Sequence, residues 1–178
     1  MTPTPTDIAH EFISANRHAL SEGMRKITHC VDQLSGNQLW WRPKPDMNSI
    51  ANLMLHLSGN LRQWLIAGAT GNKDTRNRPM EFADRSNRPK SEILDILAKV
   101  VSEADKTLAN LKPDQFLSQR RIQGYETTVL SAITDTITHF RGHVQEIIHM
   151  TRTQLGEKYR FDFVPNSPEQ QSAAGSAI

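Results

Sequence analysis

The sequence has one cysteine, no long apolar run and no signal-peptide pattern, so it has few features of a protein from an oxidising compartment or a membrane. Cys30 is its only cysteine, so it cannot form an intrachain disulfide, and this usage fits a reducing compartment. No apolar run approaches the roughly 20 residues that cross a bilayer. The stretch 1–7 lacks the charged and apolar regions of a signal peptide. We therefore expect a cytoplasmic protein with no membrane partner.

Dense charge and the common short motifs are missing as well. The chain contains no Gly-rich phosphate loop, nucleophile-elbow motif or Cys-x-x-Cys pair. The net charge is +2, and the 21 basic residues are spread along the chain, so we expect no nucleic-acid partner. Arg76, Arg78, Arg85, Arg88 and Lys90 form a local basic cluster that is interrupted by acids. We interpret this cluster as solvated surface rather than as a binding patch.

Four long amphipathic segments are present, and together they predict an all-α four-helix bundle. Each segment has apolar residues at helical spacing, and each begins or ends at a capping or helix-breaking residue. The predicted helices run from a cap at Thr6 or Asp7 to about Leu34, from Ile50 to about Ala67, from Ser91 to before Pro113, and from about Thr127 to Gly156. We expect a single domain over residues 1–163, followed by a disordered polar tail over residues 164–178.

The connections between these helices leave alternatives open. Residues 68–90 make a link of about 20 residues, longer than an ordinary loop, so it is either functional or partly mobile. The stretch 120–127 around Gly124 fits a small hairpin or an irregular crossover. Trp40 and Trp41, next to Pro43 and Pro45, fit a packed loop at one end of the bundle or an aromatic wall beside a pocket.

Three histidines suggest a metal site. His139 and His143 are four residues apart on the fourth helix, so they share one face at the margin of its core side. His56 has the same relation to the apolar stripe of the second helix. If these helices are neighbours, the three imidazoles can bind one ion and leave a coordination position for water or substrate. The alternative is that each is a hydrogen-bonded packing residue.

Other polar residues are weaker candidates. Asp135 and Glu146 lie within about 40° of His139 on a helical wheel, so either can orient an imidazole, act as a base, or simply face solvent. The four remaining histidines share no helical face with the candidate site, and we expect them at the surface: His10, His18, His29 and His149.

Two stretches resemble the DinB-like, YfiT-like family of metalloenzymes. They are residues 48–64, which contain His56, and residues 139–148, followed by Thr153-Gln154-Leu155-Gly156. The resemblance covers the chain from the first helix to about residue 163. It implies an up-down-down-up bundle with the crossover between helices two and three. It also implies a divalent ion, often nickel or zinc, on His56, His139 and His143, and frequently a homodimer.

The resemblance narrows the function only to a class. Some members are thiol S-transferases that use bacillithiol, mycothiol or glutathione, others are isomerases, and most have no assigned activity. Our first hypothesis is a metal-dependent enzyme of the thiol S-transferase or hydrolase type, with a small-molecule substrate such as a low-molecular-weight thiol. The second is a non-catalytic metal-binding or stress-response module, which the fold alone does not exclude.

Overall fold

The computed structural model describes residues 2–162, and the predicted disordered tail lies outside this range. Most of the described chain is helical. The four predicted helices are all present. Their bounds are α1 Pro5–Gln33, α3 Ile50–Asn60 with its continuations to Thr70, α6 Lys90–Asn110, and α7 Val129–Leu155. The remaining short helices are α2 Gly36–Trp40, α4 Gly68–Thr70, α5 Arg78–Ala83, and the 3-10 turns Pro113–Gln115 and Gly156–Lys158.

Side-chain caps set where the helices begin. The predicted cap at Thr6 or Asp7 is wrong, because the N-cap of α1 is Thr4, with Pro5 at the first helical position. The Thr4 side chain accepts from the Asp7 backbone N–H, while the Asp7 carboxylate accepts from the Thr4 backbone N–H. Pro5 suits this position because the first helical N–H has no partner in a helix. Ser49 caps α3 in the same reciprocal way, through Asn52.

The second long helix changes its winding halfway along. The α-helix of α3 gives way at Leu61 to a π-helical segment, Leu61–Ala67, which passes into α4 and ends at Gly71 with φ of 77°. A periodicity count treats this whole stretch as one regular helix. It does not detect a π segment, in which each carbonyl bonds five residues ahead rather than four.

The four long helices enclose one core. Helix α1 packs against α6 and α7, and α3 packs against the same two helices, so α3 and α7 are neighbours. The fully buried side chains at the centre include Leu20, Ile27, Leu53, Leu57, Leu97 and Phe140. Burying apolar area of this kind is the main favourable contribution to folding. Among the described residues, no helix is long and apolar enough to span a membrane.

A small hairpin sits between α6 and α7, so the fold is mostly rather than entirely helical. Strands β1 Gln119–Ile122 and β2 Tyr125–Thr128 pair antiparallel. Gln123 and Gly124 form the turn with φ of 52° and 86°. Two successive positive φ values are typical of the tight turns whose twist matches paired strands. Of the two alternatives left by the sequence, the hairpin is the one observed.

The tryptophan pair divides into a buried and an exposed member. Trp40 is the last residue of α2, is 5% exposed, and donates its indole N–H to the Arg88 carbonyl at 3.0 Å. Trp41 is 39% exposed. Trp40 therefore packs the α1–α3 connection onto the start of α6, which agrees with the packed-loop interpretation.

Gly23 allows the close approach of α1 and α7. A Cβ at this position would lie 2.4 Å from Phe140 Cε1 and 3.1 Å from Val144 Cγ2. Phe140 is fully buried and cannot swing away into solvent. A Cβ on Gly142, in α7, would meet nothing within 4 Å.

We predict opposite effects for alanine at these two glycines. Gly23→Ala should lower the free energy of unfolding, because overpacking typically costs about 1–3 kcal/mol and outweighs the gain in helix propensity of about 1 kcal/mol. Gly142→Ala has only the propensity gain and should be neutral or stabilising by up to about 1 kcal/mol. Urea unfolding of both variants checks this. A Gly23→Ala protein more stable than the wild type would show that the helices separate freely.

Candidate metal centre

The three predicted histidines come together where α3 packs against α7. Each of His56, His139 and His143 offers one ring nitrogen, and these nitrogens lie within 4.8 Å of one another. The ring centroids are 5.1 Å apart for His56 and His139, 5.2 Å for His56 and His143, and 4.5 Å for His139 and His143. Among the described residues this is the one group of three histidine, cysteine or acidic side chains with metal-ligand spacing.

The spacing of one nitrogen pair is close to that required by a first-row divalent ion. His56 Nε2 and His139 Nε2 are 2.9 Å apart. A tetrahedral ion at 2.0–2.1 Å from each imidazole would hold its ligand nitrogens about 3.3 Å apart. Binding of an ion therefore requires this pair to separate by a few tenths of an ångström. Three imidazoles form a donor set that suits zinc, nickel, copper or iron.

Glu81 determines which nitrogen of His56 is free to bind. His56 Nδ1 lies 3.0 Å from Glu81 Oε2, and both side chains are at least nine-tenths buried. Arg76 Nη2 also lies 3.0 Å from Nδ1, but its hydrogens are directed to Glu81 as well. Because a carboxylate oxygen can only accept, we assign the ring proton to Nδ1, where it donates to Glu81. The lone pair of His56 is then on Nε2, which points towards His139. A carboxylate behind the ring of a ligating histidine is a common feature of metal sites.

Arg76 holds Glu81 in place. Its Nε donates to Glu81 Oε1 at 2.7 Å and its Nη2 to Glu81 Oε2 at 2.8 Å, a bidentate pair, and the Arg76 side chain is only 3% exposed. Burial opposes ionisation of Glu81, but the hydrogen bonds from Arg76 and His56 outweigh it and lower the pKa of the carboxyl. The interpretation of Arg76 as solvated surface is therefore wrong.

Asn52 and Gly59 secure this ion pair against α3. The buried Asn52 amide donates to the carbonyls of Glu81 at 2.9 Å and Asp84 at 3.2 Å, which fastens α5 one helical turn before His56. At Gly59 a Cβ would lie only 1.9 Å from Glu81 Oε1. The glycine therefore leaves the space that the carboxylate occupies.

The same ion pair connects to the hairpin. Arg76 Nη1 donates to Gln63 Oε1 at 3.0 Å, and the Gln123 side chain at the hairpin turn also donates to Gln63 Oε1. Gln63 lies in the π-helical segment. The long 68–90 connection is thus ordered here, and it contributes Arg76 and Glu81 to the site.

His143 has a carboxylate partner, and His139 is held neutral by its surroundings. His143 Nδ1 lies 2.7 Å from Glu146 Oε2, so Glu146 orients the ring rather than only facing solvent, although its side chain is 47% exposed. Burial is the main reason that the pKa of His139 is lowered to about 4, with smaller contributions from the charges of the neighbouring histidines and of Arg76 and Arg78. A neutral imidazole is the form that binds a metal.

A cavity of about 280 Å³ opens beside the histidines. His56 and His139 contribute to its wall, and the other lining residues are Asn60, Trp64, Arg76, Arg78, Gln123, Asp135 and Thr136. Neither Trp40 nor Trp41 lines this cavity, so the aromatic-wall alternative for that pair is wrong. The tryptophan in the cavity wall is Trp64. His56, Asn60 and Trp64 recur every four residues, a signal that was available in the sequence.

The remaining histidines stay away from the cluster. His10, His18 and His149 are exposed, as predicted. His29 is partly buried, because its Nε2 lies 2.6 Å from the Arg160 carbonyl and 2.9 Å from Gln33 Nε2. None of the four is a candidate ligand.

A family model covers the whole of this site. The model is described as a protein of unknown function, DUF1572, and it matches residues 7–167. The chain belongs to the DUF1572 family. No curated protein matches the sequence of this DUF1572 member.

Solved structures show the fold of this DUF1572 protein. A conserved protein from Enterococcus faecalis is similar with a TM-score of 0.67 and 16% identity, over 78% of this chain and 94% of that one. A DinB-like protein from Bacillus cereus is similar with a TM-score of 0.63 and 13% identity, over 80% of this chain and 90% of that one. The resemblance to DinB-like proteins is thereby confirmed at the level of the fold.

We predict that Glu81 and Glu146, the two carboxylates behind the candidate ligands, contribute unequally to the metal affinity of this DUF1572 protein. Glu81→Gln should weaken binding of a divalent ion by about 10–100-fold, the usual cost of losing such a partner. Glu146→Gln should cost less, because Glu146 is far more exposed than Glu81. Competition with a chromophoric chelator measures both. Each variant is first checked for folding by circular dichroism, since Arg76 loses its charged partner in Glu81→Gln. Equal losses of metal affinity in the two variants would contradict the prediction, because burial of Glu81 would then not affect metal binding.

Proposed function

We propose that this protein is a divalent-metal-dependent enzyme, with the ion on His56, His139 and His143. The observation that carries the proposal is the position of the histidines. Three imidazoles converge, and two of them, His56 and His139, line an open cavity. Glu81 and Glu146 lie against the Nδ1 atoms of His56 and His143 and leave the Nε2 of each free to bind. A structural metal site is usually closed by four protein ligands, whereas a catalytic one keeps a position open.

The proposed reaction is a thiol S-transfer or a hydrolysis. A nickel or zinc ion on these ligands would lower the pKa of a thiol or water towards neutrality and so supply a nucleophile. The chain's own residues bind and orient the substrate. Trp64 offers an apolar wall, and the exposed carboxylate of Asp135 lies in the cavity where it can accept a proton.

Three further points of the proposal concern the whole molecule. We infer the up-down-down-up order from the long link between α4 and α6, which has the length needed to cross the bundle. We expect a homodimer, as in many proteins of the resembling family, and a cytoplasmic location, which the single cysteine favours.

Metal content tests the site directly. Untagged protein, purified without chelator, should contain about one equivalent of nickel or zinc by elemental analysis. The His139→Ala, His143→Ala double variant should lose it, because two of three ligands are gone. His10→Ala, His149→Ala is the matched control, with two exposed histidines removed from the helices α1 and α7. Metal retained by the first variant would rule out this site.

Activity separates the enzyme from a non-catalytic metal-binding or stress-response module. The metal-loaded protein is assayed with a panel of electrophiles and low-molecular-weight thiols, and with ester and amide substrates. We expect turnover that disappears in the His139→Ala, His143→Ala variant. A protein that binds the ion tightly but turns over none of these substrates would favour the non-catalytic module.

A further inference from the structure

Arg78 is the cationic side chain in the cavity that has no carboxylate partner among residues 2–162. We propose that it binds the negative group of the substrate, which is therefore a small organic carboxylate. This inference rests on the proposed function, because it names the class of ligand that enters the same cavity.

The second arginine of the cavity is already occupied. Arg76 is 3% exposed and gives its guanidinium hydrogens to Glu81 and Gln63, so it has little capacity left for a ligand. Arg78 is exposed, and within the described residues it forms no ion pair and no side-chain hydrogen bond. Its donors are free for a carboxylate, which the planar guanidinium can bind through two parallel hydrogen bonds.

The guanidinium of Arg78 is nevertheless held in position. It stacks over the ring of Phe82 with 4.9 Å between its central carbon and the ring centroid. Phe82 in turn packs against His56, with 4.8 Å between ring centroids. The stack therefore fixes Arg78 beside the candidate ligand, where it also lines the cavity. An arginine held over an aromatic ring loses less rotational freedom on binding than a free one.

The balance of charge favours an anion. Three neutral imidazoles leave the charge of a divalent ion uncompensated, and Glu81 is neutralised by Arg76. The carboxylates that oppose an anionic ligand are Asp135 on the cavity wall and Glu146 behind His143. With an ion bound, positive charge still exceeds negative charge around the cavity.

Asn60 adds a second polar anchor. Its Oδ1 is buried and has no hydrogen-bond partner, and the residue lines the cavity one turn beyond His56. A buried polar atom left without a partner is costly, so a ligand group that bonds it gains affinity. Together with Trp64, these residues fit a ligand with a carboxylate, a short apolar body and one hydrogen-bond donor for Asn60 Oδ1.

A matched pair of probes tests the role of Arg78. Cobalt-loaded protein is titrated with 3-mercaptopropionate and with the neutral 3-mercapto-1-propanol, and binding is followed by the thiolate-to-cobalt absorption. Both probes offer the same thiol to the ion, but only the first has a carboxylate. The wild type should bind 3-mercaptopropionate at least about ten-fold more tightly than 3-mercapto-1-propanol, which is the usual effect of a hydrogen bond to a charged group.

Three variants separate the carboxylate effect from general changes in charge. Arg78→Gln should remove most of the preference for 3-mercaptopropionate and leave only the smaller part that is due to the charge of the ion. It should change affinity for 3-mercapto-1-propanol much less. Arg121→Gln, on the exposed face of the hairpin, should keep the wild-type preference. Asp135→Asn should increase the preference, because it removes a negative charge from the cavity. Equal affinities of the two probes in the wild type, or a preference in Arg78→Gln as large as that of the wild type, would overturn the proposal.

A metal-free measurement distinguishes this failure from failure of the proposed function. If cobalt does not bind, the proposed metal site is wrong, whatever Arg78 does. Propionate is then added to chelator-treated protein, and the Nε–H resonance of Arg78 is followed by NMR. A saturable shift that is absent in Arg78→Gln would support the carboxylate site alone. No shift would overturn it.

Discussion

The buried pair of Arg76 and Glu81 is the interaction on which the candidate site depends. Two opposite charges are held out of water beneath His56, and neither would be stable there without the other. A pair of this kind contributes little net stability compared with apolar side chains of similar size. Its value here is geometric: it holds a carboxylate against Nδ1 of His56, so that Nε2 is the ring nitrogen directed towards α7.

Several parts of the fold serve to keep that pair in place. Asn52 binds the backbone of α5, Gly59 leaves room for the carboxylate, and Gln63 connects Arg76 to the hairpin turn. Each of these residues lies on the helix that carries His56. This helix therefore supplies the candidate ligand His56. It also supplies the residues that hold Arg76 and Glu81, which in turn orient His56.

Helical spacing was enough to predict the four helices and to single out His56, His139 and His143. An i, i+4 pair is visible in any sequence, because helix geometry alone places the two side chains together. The partners of His56 could not be predicted in this way. Arg76 and Glu81 lie in a connection without periodicity, so nothing local shows that Arg76 turns inward, and a basic cluster with interspersed acids resembles ordinary surface. The π-helical segment was likewise invisible, since it preserves the apolar composition of a regular helix.

The separation of the ligands along the chain also has a consequence for the order of folding. His139 and His143 occupy one helical turn and are close as soon as α7 forms, whereas His56 is 83 residues before His139. Its arrival requires the closure of a long loop and the docking of α3, steps that are slow compared with helix formation. An ion that needs all three imidazoles therefore binds the closed bundle in preference to partly folded chains, and it shifts the equilibrium towards the native state by mass action.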